Sequence, residues 1–230
     1  YNDTEIGIKT ILLLEKLGYD VVIPEHEESG RAWLSKGLLR EAKKIANKNI
    51  HLLSKLITAD TPLIGIEPSA ILTFRDEYVD LADDDQFEAA KEMAKHVWTI
   101  DEFLAAEIEK GNIKKENFTE EKRNIKLHGH CQQKALSSLA PTVRILSLPE
   151  NYLVDIIPSG CCGMAGSFGY EKEHYEISMK IGELVLLPAV RSSESQTIIA
   201  APGTSCRHQI KDGTGKKALH PLEVLYEALI

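Results

Sequence analysis

Four cysteines are the residues of this sequence best suited to chemistry, and they share one kind of position. Each follows an apolar run predicted to be a strand and comes just before or at the start of a stretch with helical spacing; they are Cys131, Cys161, Cys162 and Cys206. In an open parallel α/β sheet, ligands bind at the carboxyl ends of the strands, where helix N-termini favour negative charge. Such surroundings favour the thiolate form of cysteine. The pattern therefore predicts four thiolates that gather around a soft metal centre.

The two adjacent cysteines lie in the segment 159–167, which reads SGCCGMAGS and is called the vicinal loop below. We expect Gly160 and Gly163 to adopt backbone conformations that other residues avoid. Their small size would also let backbone N–H groups approach the sulfur atoms of a bound centre. Both glycines are therefore candidate cofactor-binding residues.

Three histidines stand close to the cysteines in sequence, and they are His128, His130 and His208. A histidine beside a metal centre often donates a hydrogen bond to one of its ligands. We select His130 as the candidate for this role. The alternative for each of the three is a hydrogen bond that serves the fold alone.

The residue types alone leave four interpretations of the cysteines open. An iron–sulfur cluster and a structural zinc ion both use sets of four cysteines. Unreactive buried thiols are common in protein cores. A redox disulfide, either vicinal or between Cys131 and Cys206, is the fourth interpretation, although the lack of a C-x-x-C motif argues against a thiol–disulfide enzyme.

Composition and charge exclude several classes of protein. The 27 basic and 35 acidic side chains give a formal net charge of −8 over 230 residues, without a long basic block, which argues against a nucleic-acid surface. No apolar run approaches the roughly 18 to 20 residues of a membrane span. The polar start lacks a signal peptide and an initiator Met, so we expect a fragment of a longer chain. We predict a cytoplasmic location, with peripheral attachment at the inner face of the membrane as an option.

Hydrophobic spacing predicts alternating helices and strands. Predicted helices cover residues 5–17, 38–56, 171–187 and 221–230, with two short helices inside 87–109 that separate near residue 100. Predicted strands cover residues 21–23, 63–66, 143–146, 152–157 and 197–201, with another at Lys126. Asp3 is placed to cap the first helix, and residues 111–123 resemble a linker. The alternation predicts parallel sheets with right-handed crossovers.

The two halves of the chain resemble a degenerate internal repeat. VVIPEHEESGR lies over VDIIPSGCCGM, and SAILTFRD lies over SCRHQIKD. In that register the cysteines of the second half are replaced in the first half by Glu28, Ser29 and Ala70. We therefore predict an α/β fold of two pseudo-repeated three-layer α/β/α units with mainly parallel sheets. Residues 1–112 would form a degenerate repeat without cysteines, and residues 123–230 the repeat with the cluster site.

The motifs HGHCQQKAL, SGCCGMAGSFGYEKEHYE and GTSCRHQI resemble the cysteine-rich CCG domain. This domain occurs in the iron–sulfur subunits of glycolate oxidase, anaerobic glycerol-3-phosphate dehydrogenase, lactate utilisation proteins and heterodisulfide reductase. The likeness extends over nearly the whole chain to the C-terminal part of fused FAD-linked oxidases, which oxidise D-lactate or related D-2-hydroxy acids. YNDTEIGIKTILLLEKLGYDVVIP and ESGRAWLSKGLLREAKKIA resemble that group as well.

The resemblance implies that the four cysteines hold a [4Fe–4S] cluster, with zinc possible in its place. The family repeat has one Cys, a CC pair and a C-x-x-C, whereas this sequence has Gly203 where a further Cys often stands. That difference leaves four thiols.

The implied function is electron transfer from a flavin to an acceptor, without catalytic residues in this chain. FAD is implied only for the rest of the full-length protein, since this chain has no GxGxxG fingerprint after a strand. The implied partners are an FAD-binding oxidase domain or subunit, a ferredoxin-type cluster domain, and a quinone or another acceptor. A zinc-stabilised structural or interaction domain is the alternative.

Overall fold

Parallel strands form the sheets of both units into which the chain divides. The computed structural model describes residues 2–230. The first unit, called the cysteine unit, comprises residues 2–21 and Leu104–Ile230, and the second, called the central unit, comprises Val22–Phe103. This division differs from the predicted boundaries at residues 112 and 123, and the internal repeat itself stays a prediction.

The secondary structure alternates between helices and short strands along the chain. The strands are β1 Leu63–Gly65, β2 Val97–Thr99, β3 Arg123–Leu127, β4 Tyr152–Ile156, β5 Ile198–Ala200 and β6 Ala218–Leu219. The helices are α1 Thr4–Lys16, α2 Arg31–Ser35, α3 Leu39–Leu53, α4 Pro68–Arg75, α5 Glu77–Leu81, α6 Phe87–Ala94, α7 Ile100–Glu109, α8 Cys131–Leu136, α9 Ala140–Leu146, α10 Tyr175–Glu183, α11 Leu186–Arg191, α12 Thr204–Thr214 and α13 Pro221–Ala228. Short 3-10 turns cover Lys115–Asn117, Phe168–Tyr170 and Lys172–His174.

The central unit is built on the parallel pair β1 and β2, in which Leu63 is opposite Val97. The predicted helix over residues 38–56 is confirmed as α3. Its apolar residues at helical spacing, among them Ala42, Ala46 and Ile50, are buried against the unit's core.

The cysteine unit is built on a four-stranded parallel sheet with the order β4–β3–β5–β6. The strand register places Leu127 opposite both Ile156 and Ala200, and it places Ala200 opposite Leu219. The carboxyl ends of all four strands therefore meet at one edge. Together with β1 and β2, this sheet confirms the α/β class with mainly parallel sheets.

Helix α1 packs against α13 in the cysteine unit, although the central unit separates the two in sequence. Asp3 occupies the N-cap position of α1, but its side chain makes no capping hydrogen bond. Instead, its carboxylate accepts hydrogen bonds of 2.6 and 2.7 Å from Arg207. The capping prediction for Asp3 is therefore wrong, because a long-range ion pair takes the carboxylate.

Two predicted strands are wrong. Val22 and Ile23 are 81% and 72% exposed in an extended segment outside both sheets, since no neighbouring strand pairs with them. The run Val143–Arg144–Ile145–Leu146 lies inside α9. Pro141 lies in the first turn of that helix, where proline is well tolerated. Helical spacing buries Ile145 and Leu146 together, and a run of four residues is too short to distinguish this helix from a strand.

Two further predictions of local structure need correction. The predicted helix over residues 171–187 is divided into a 3-10 turn, α10 and the start of α11. The predicted linker 111–123 is packed: Phe118 is buried and bridges to Leu229 in antiparallel fashion. The break near residue 100 contains β2, which is only three residues long and gives too short a pattern to recognise.

Candidate metal centre

The carboxyl edge of the four-stranded sheet brings the cysteine-bearing segments together. The N–H of His128 donates to the carbonyl of Ala200 at 2.8 Å, and the N–H of Ile157 donates to the carbonyl of Leu127 at 2.8 Å. The segments after β3, β4 and β5 therefore leave the sheet side by side. In this strand order the chain steps from β3 to its neighbour β4 in one direction across the sheet and from β5 to its neighbour β6 in the opposite direction. Ligands of open α/β sheets bind at such a switch point.

The four sulfur atoms lie in two close pairs. Sγ of Cys131 is 3.7 Å from Sγ of Cys161, and Sγ of Cys206 is 3.5 Å from Sγ of Cys162. Peptide linkage between Cys161 and Cys162 joins the pairs. All four side chains are free thiols. The structure thus brings together all the cysteines that the sequence analysis selected, and their role as ligands stays a prediction.

The two pairs differ in their access to solvent. Cys162 and Cys206 are buried, whereas Cys131 and Cys161 are half-buried. Cys131 is the first residue of α8, and Cys206 lies in the first turn of α12. Free backbone N–H groups at these helix starts favour negative charge near the sulfurs. One end of the site is therefore sealed, while the other reaches the surface.

Hydrogen bonds among the four thiols lower the pKa of two of them and raise the pKa of the other two. The pKa of Cys161 is well below its usual range, because the thiols of Cys131 and Cys162 donate to its sulfur and outweigh burial. The pKa of Cys206 is also lowered, first by the Cys162 thiol and further by the neighbouring His128 ring, against the effect of burial. The pKa values of the donors Cys131 and Cys162 are raised. Cys161 and Cys206 are therefore the more acidic member of each sulfur pair.

Gly163 has the left-handed backbone that the sequence analysis predicted, with φ of 103°. A Cβ atom there would lie 2.1 Å from the carbonyl oxygen of Ser178, so no side chain fits. Its N–H donates to Sγ of Cys161 at 3.3 Å. Gly163 therefore lets the backbone approach a sulfur atom, which is the geometry expected of a cofactor-binding glycine.

Gly160 differs from Gly163. Its φ lies outside the left-handed region, and a Cβ atom there would meet nothing within 4 Å. The prediction that Gly160 needs a special backbone conformation is wrong, because the loop turns at Gly163 instead. Its predicted contact with a bound centre stays a prediction.

His130 supports the start of α8. It is the N-cap residue, and its Nδ1 accepts a hydrogen bond of 3.3 Å from the N–H of Gln132. A Cβ atom at Gly203 would lie 2.4 Å from Cδ2 of His130, so the imidazole ring fills the space that a side chain at Gly203 would need. The structural role suggested for His130 is present, and its contact with a bound centre stays a prediction.

His208 makes a hydrogen bond outside the cysteine cluster. Its Nδ1 lies 2.7 Å from the hydroxyl of Tyr170, and the two rings meet edge to face. This contact fits the structural interpretation of His208.

His128 is fully buried, and its two ring nitrogens have different surroundings. Nδ1 lies 2.7 Å from Oγ of Ser159, while Nε2 has no hydrogen-bond partner. One ring nitrogen of His128 and the sulfurs of Cys162 and Cys206 lie within 4.8 Å of one another. The sequence analysis preferred His130, and two histidines on either side of one glycine offer no sequence signal that would separate them.

Two residues that sequence reasoning missed, Gln209 and Lys134, hold the vicinal loop in place. Nε2 of Gln209 donates to the carbonyl oxygens of Cys162 and Ser178 at 3.0 and 3.1 Å. Nζ of Lys134 donates to the carbonyl oxygens of Ser159 and Gly160 at 2.9 and 2.7 Å. These contacts join residues more than 20 positions apart, and no short-range pattern indicates them.

The central unit has a different arrangement at the positions aligned with the cysteines. Ser29 accepts a hydrogen bond of 3.1 Å through its carbonyl from the hydroxyl of Tyr78. Glu28 accepts one of 2.6 Å from the indole of Trp33. Ala70 lies within α4. This unit, as the structure describes it, presents no set of three metal-ligating side chains.

Within residues 2–230, no helix is both long and apolar enough to cross a bilayer.

Comparison with known proteins relates the whole chain to parts of larger dehydrogenases, and no family model matches it. It is 29% identical over 235 residues to D-2-hydroxyglutarate dehydrogenase of Escherichia coli (strain K12), and it covers 22% of that protein. The corresponding protein of Haemophilus influenzae is 26% identical and is also covered to 22%. A subunit of the anaerobic glycerol-3-phosphate dehydrogenase of Escherichia coli (strain K12) is 24% identical, and the chain spans 56% of its length.

Proposed function

We propose that this chain is the electron-transfer portion of an FAD-linked oxidoreductase that acts on a D-2-hydroxy acid. In this proposal a [4Fe–4S] cluster is held by four ligands, namely Cys131, Cys161, Cys162 and Cys206. The observation that carries the proposal is the meeting of all four thiols at the switch point of one parallel sheet. Similarity along the whole chain to parts of two kinds of dehydrogenase supports the same class of reaction.

The donor set fits a soft metal centre. Iron–sulfur clusters are held by cysteine thiolates, and hydrogen bonds to the sulfurs tune the reduction potential. The site offers four thiols, of which two have a lowered pKa, and the N–H of Gly163 already points at Sγ of Cys161. The residues present therefore match the chemical preference of the proposed cluster.

The protein would control how electrons reach the site. A bound cluster takes up and releases one electron at a time. Cys162 and Cys206 keep one side of the site free of water, whereas the half-buried Cys131 and Cys161 place the other side near the surface. Electrons would enter and leave on that more exposed side.

The remainder of the full-length protein would supply the other parts of the reaction. Oxidation of a hydroxyl to a carbonyl releases two electrons, which an FAD-binding domain or subunit would accept and pass on singly. A ferredoxin-type cluster domain and a quinone or similar acceptor would complete the route. We assign no catalytic acid or base to this chain.

A zinc-stabilised structural domain is the second candidate, and the sulfur separations favour it. Zinc–sulfur bonds of roughly 2.3 Å in a tetrahedron place two sulfurs about 3.8 Å apart. The separations of 3.5 and 3.7 Å are close to that value. One zinc ion would leave the pairs nearly as they are, whereas a four-iron cluster would require them to separate.

Anaerobic reconstitution with iron and sulfide tests the proposal. We expect about four iron atoms and four sulfides per chain, with a brown absorbance. Replacement of Cys161 by Ser should abolish or strongly reduce this loading. The control is Ser192→Cys, which adds a thiol at an exposed position of the same unit and should not raise the iron content.

The outcomes separate the two candidates. Loss of iron and sulfide from wild type during gel filtration would overturn the cluster proposal. One tightly held zinc per chain, with loss of stability on chelation, would establish the zinc alternative. Iron content that follows the number of thiols, including Ser192→Cys, would show unspecific binding.

A further inference from the structure

We infer that Nε2 of His128, beside Cys162 and Cys206, binds a metal ion at the cysteine site proposed above. This inference rests on the proposed function, because it adds a nitrogen donor to the same site. The observation that carries it is a fully buried imidazole whose Nε2 has no hydrogen-bond partner, with one ring nitrogen within 4.8 Å of the sulfurs of Cys162 and Cys206.

The hydrogen bond at Nδ1 prepares the ring for this role. The hydroxyl of Ser159 can donate to the carbonyl of Ile157, which lies 3.4 Å away, so Oγ is free to accept from Nδ1–H of His128 at 2.7 Å. Nδ1 then carries the ring proton, and Nε2 keeps its lone pair. Metal-ligating histidines commonly donate their other N–H in this way, which fixes the tautomer and orients the ring.

The position of Nε2 also requires explanation. A buried polar atom without a partner destabilises the folded state, because its hydrogen bonds to water are lost without replacement. One ring nitrogen of His128 lies within 4.8 Å of the sulfurs of Cys162 and Cys206, which are electron-rich when deprotonated. Three donor atoms within 4.8 Å of one another and shielded from water are stabilised together by a shared cation. A cation at this point would give the orphaned nitrogen its partner.

His130 provides a contrast within the same segment. Its Nδ1 accepts the N–H of Gln132, so its neutral ring carries the proton on Nε2 and has no lone pair there to offer a metal. Two histidines on either side of Gly129 thus have opposite tautomers. Only His128 is prepared to bind a metal.

Cobalt(II) alone is the probe, because its unpaired electrons shift the proton resonances of bound ligands. We expect the reduced, cobalt-loaded wild type to show one strongly shifted, exchangeable imidazole N–H signal from Nδ1–H of His128. The signal should disappear in His128→Asn, with cobalt affinity reduced at least 10-fold to 100-fold. His130→Asn is the matched control, since Asn is a good N-cap residue, and it should keep the signal.

Two further measurements keep the test decisive. Ser159→Ala should retain the shifted signal but accelerate its exchange with water, because the acceptor of Nδ1–H is removed. The shifted imidazole signal is measured on wild type itself, so the test remains valid even if a variant misfolds. Cobalt that binds without any shifted imidazole signal, a signal that persists in His128→Asn, or failure of wild type to bind cobalt would each overturn the inference.

The inference and the proposed function fail in different ways. Wild type that holds cobalt through His128 but retains no iron and sulfide supports the ligand role and refutes the cluster. Wild type that holds iron and sulfide without an imidazole signal from bound cobalt leaves the cluster standing and refutes the ligand role. In that second case, Nε2–H of His128 serves as a hydrogen-bond donor to Cys206.

Discussion

The vicinal loop of the cysteine unit and the acidic loop of the central unit, residues 24–30, are fixed by the same device. A buried side-chain amide binds the backbone of each. Gln209 donates to the carbonyl of Cys162 at 3.0 Å, and Asn49 donates to the carbonyl of Glu28 at 2.9 Å. Each loop also contains a glycine with positive φ, Gly163 in one and Gly30 in the other.

The two loops differ in the strength of the hydrogen bonds that their polar groups make within the protein. The amide of Asn49 also bonds to the hydroxyl of Tyr78 and accepts from the N–H of Glu27, so the acidic loop has strong internal partners. The thiols of the vicinal loop are paired with the thiols of Cys131 and Cys206, and sulfur is a weak donor and acceptor. Nε2 of His128 has no partner. The comparison teaches that the acidic loop is held by strong hydrogen bonds from within its own unit, whereas the vicinal loop leaves thiols and a ring nitrogen with weak partners or none.

The largest expected effect on stability concerns two glycines of the vicinal loop, Gly163 and Gly160, whose surroundings differ. Gly163→Ala should destabilise the cysteine unit by about 4 kcal/mol, since left-handed strain and a clash with Ser178 add together. Gly160→Ala in the same loop should change stability by less than about 0.5 kcal/mol. Urea unfolding followed by far-UV circular dichroism measures both. Equal effects of the two substitutions would show that Gly163 does not define the loop.

Removal of the amide in the central unit should have the next largest effect. Asn49→Ala leaves the backbone of Glu27 and Glu28 and the buried hydroxyl of Tyr78 without a partner, which should cost about 3 kcal/mol. Tryptophan fluorescence reports this unit alone, because Trp33 and Trp98 are the only tryptophans of the chain and both lie in it.

Two controls accompany that substitution. Asn151→Ala, which removes an exposed amide of the cysteine unit, should leave the fluorescence transition unchanged. Metal content of Asn49→Ala should equal that of wild type. A lower metal content would mean that the acidic loop supports the metal centre, contrary to the contrast between the two loops.

Much of this arrangement followed from the sequence, and the reasons are physical. The strands that end at the cysteines were visible as apolar runs, and the common edge followed from the parallel sheet, so the meeting of the four thiols could be predicted. Helix α3 was visible because its apolar residues repeat at helical spacing over four turns.

The remaining features depend on contacts that no local pattern encodes. Gln209, Lys134 and Ser178 act on the vicinal loop from 14 to 47 positions away. The sequence analysis selected His130, whose contact with a bound centre stays a prediction; the different contacts of the two rings, His128 with Ser159 and His130 with the start of α8, are not encoded in the local sequence. Strand predictions failed at residues 21–23 and 143–146, where short apolar runs match more than one structure.

Metal binding should stabilise one unit only. Zinc at 100 times its dissociation constant should raise the free energy of unfolding of the cysteine unit by about 2.7 kcal/mol, because zinc binds the folded site and not the unfolded chain. The circular dichroism transition should move, and the fluorescence transition of the central unit should stay in place. Removal of zinc with a chelator should reverse the change. A shift of both transitions together would show that the units unfold as one.

The ion pair between Asp3 and Arg207 makes the stability of the cysteine unit depend on pH. Burial would raise the pKa of Asp3, but hydrogen bonds from Arg207 and Thr204 lower it below its ordinary value of 3.8. A lowered pKa stabilises the fold above the unfolded value, and the contribution disappears as the pH falls through the folded value. Asp3→Asn should therefore cost about 1.5 to 2 kcal/mol near neutral pH and progressively less below about pH 4.

That pH dependence has a simple control. Glu5→Gln removes an exposed carboxylate from the same helix and should change stability by less than about 0.5 kcal/mol at any pH. A constant difference between wild type and Asp3→Asn down to pH 2 would contradict the ion-pair assignment.

The smallest expected effect on stability concerns Gly30 of the acidic loop. A Cβ atom at Gly30 would make ordinary contacts of 3.6 to 3.7 Å with Ile45 and Ala42, so Gly30→Ala carries only the strain of a positive φ, about 1 kcal/mol. Gly37→Ala is the matched control, because Gly37 has a φ of 72° and open space around it. The two substitutions should shift the fluorescence transition equally. A loss of unfolding free energy several times larger for Gly30→Ala would mean that the acidic loop is as tightly packed as the vicinal loop. The difference between the two loops would then rest on the weak hydrogen bonding of the thiols alone.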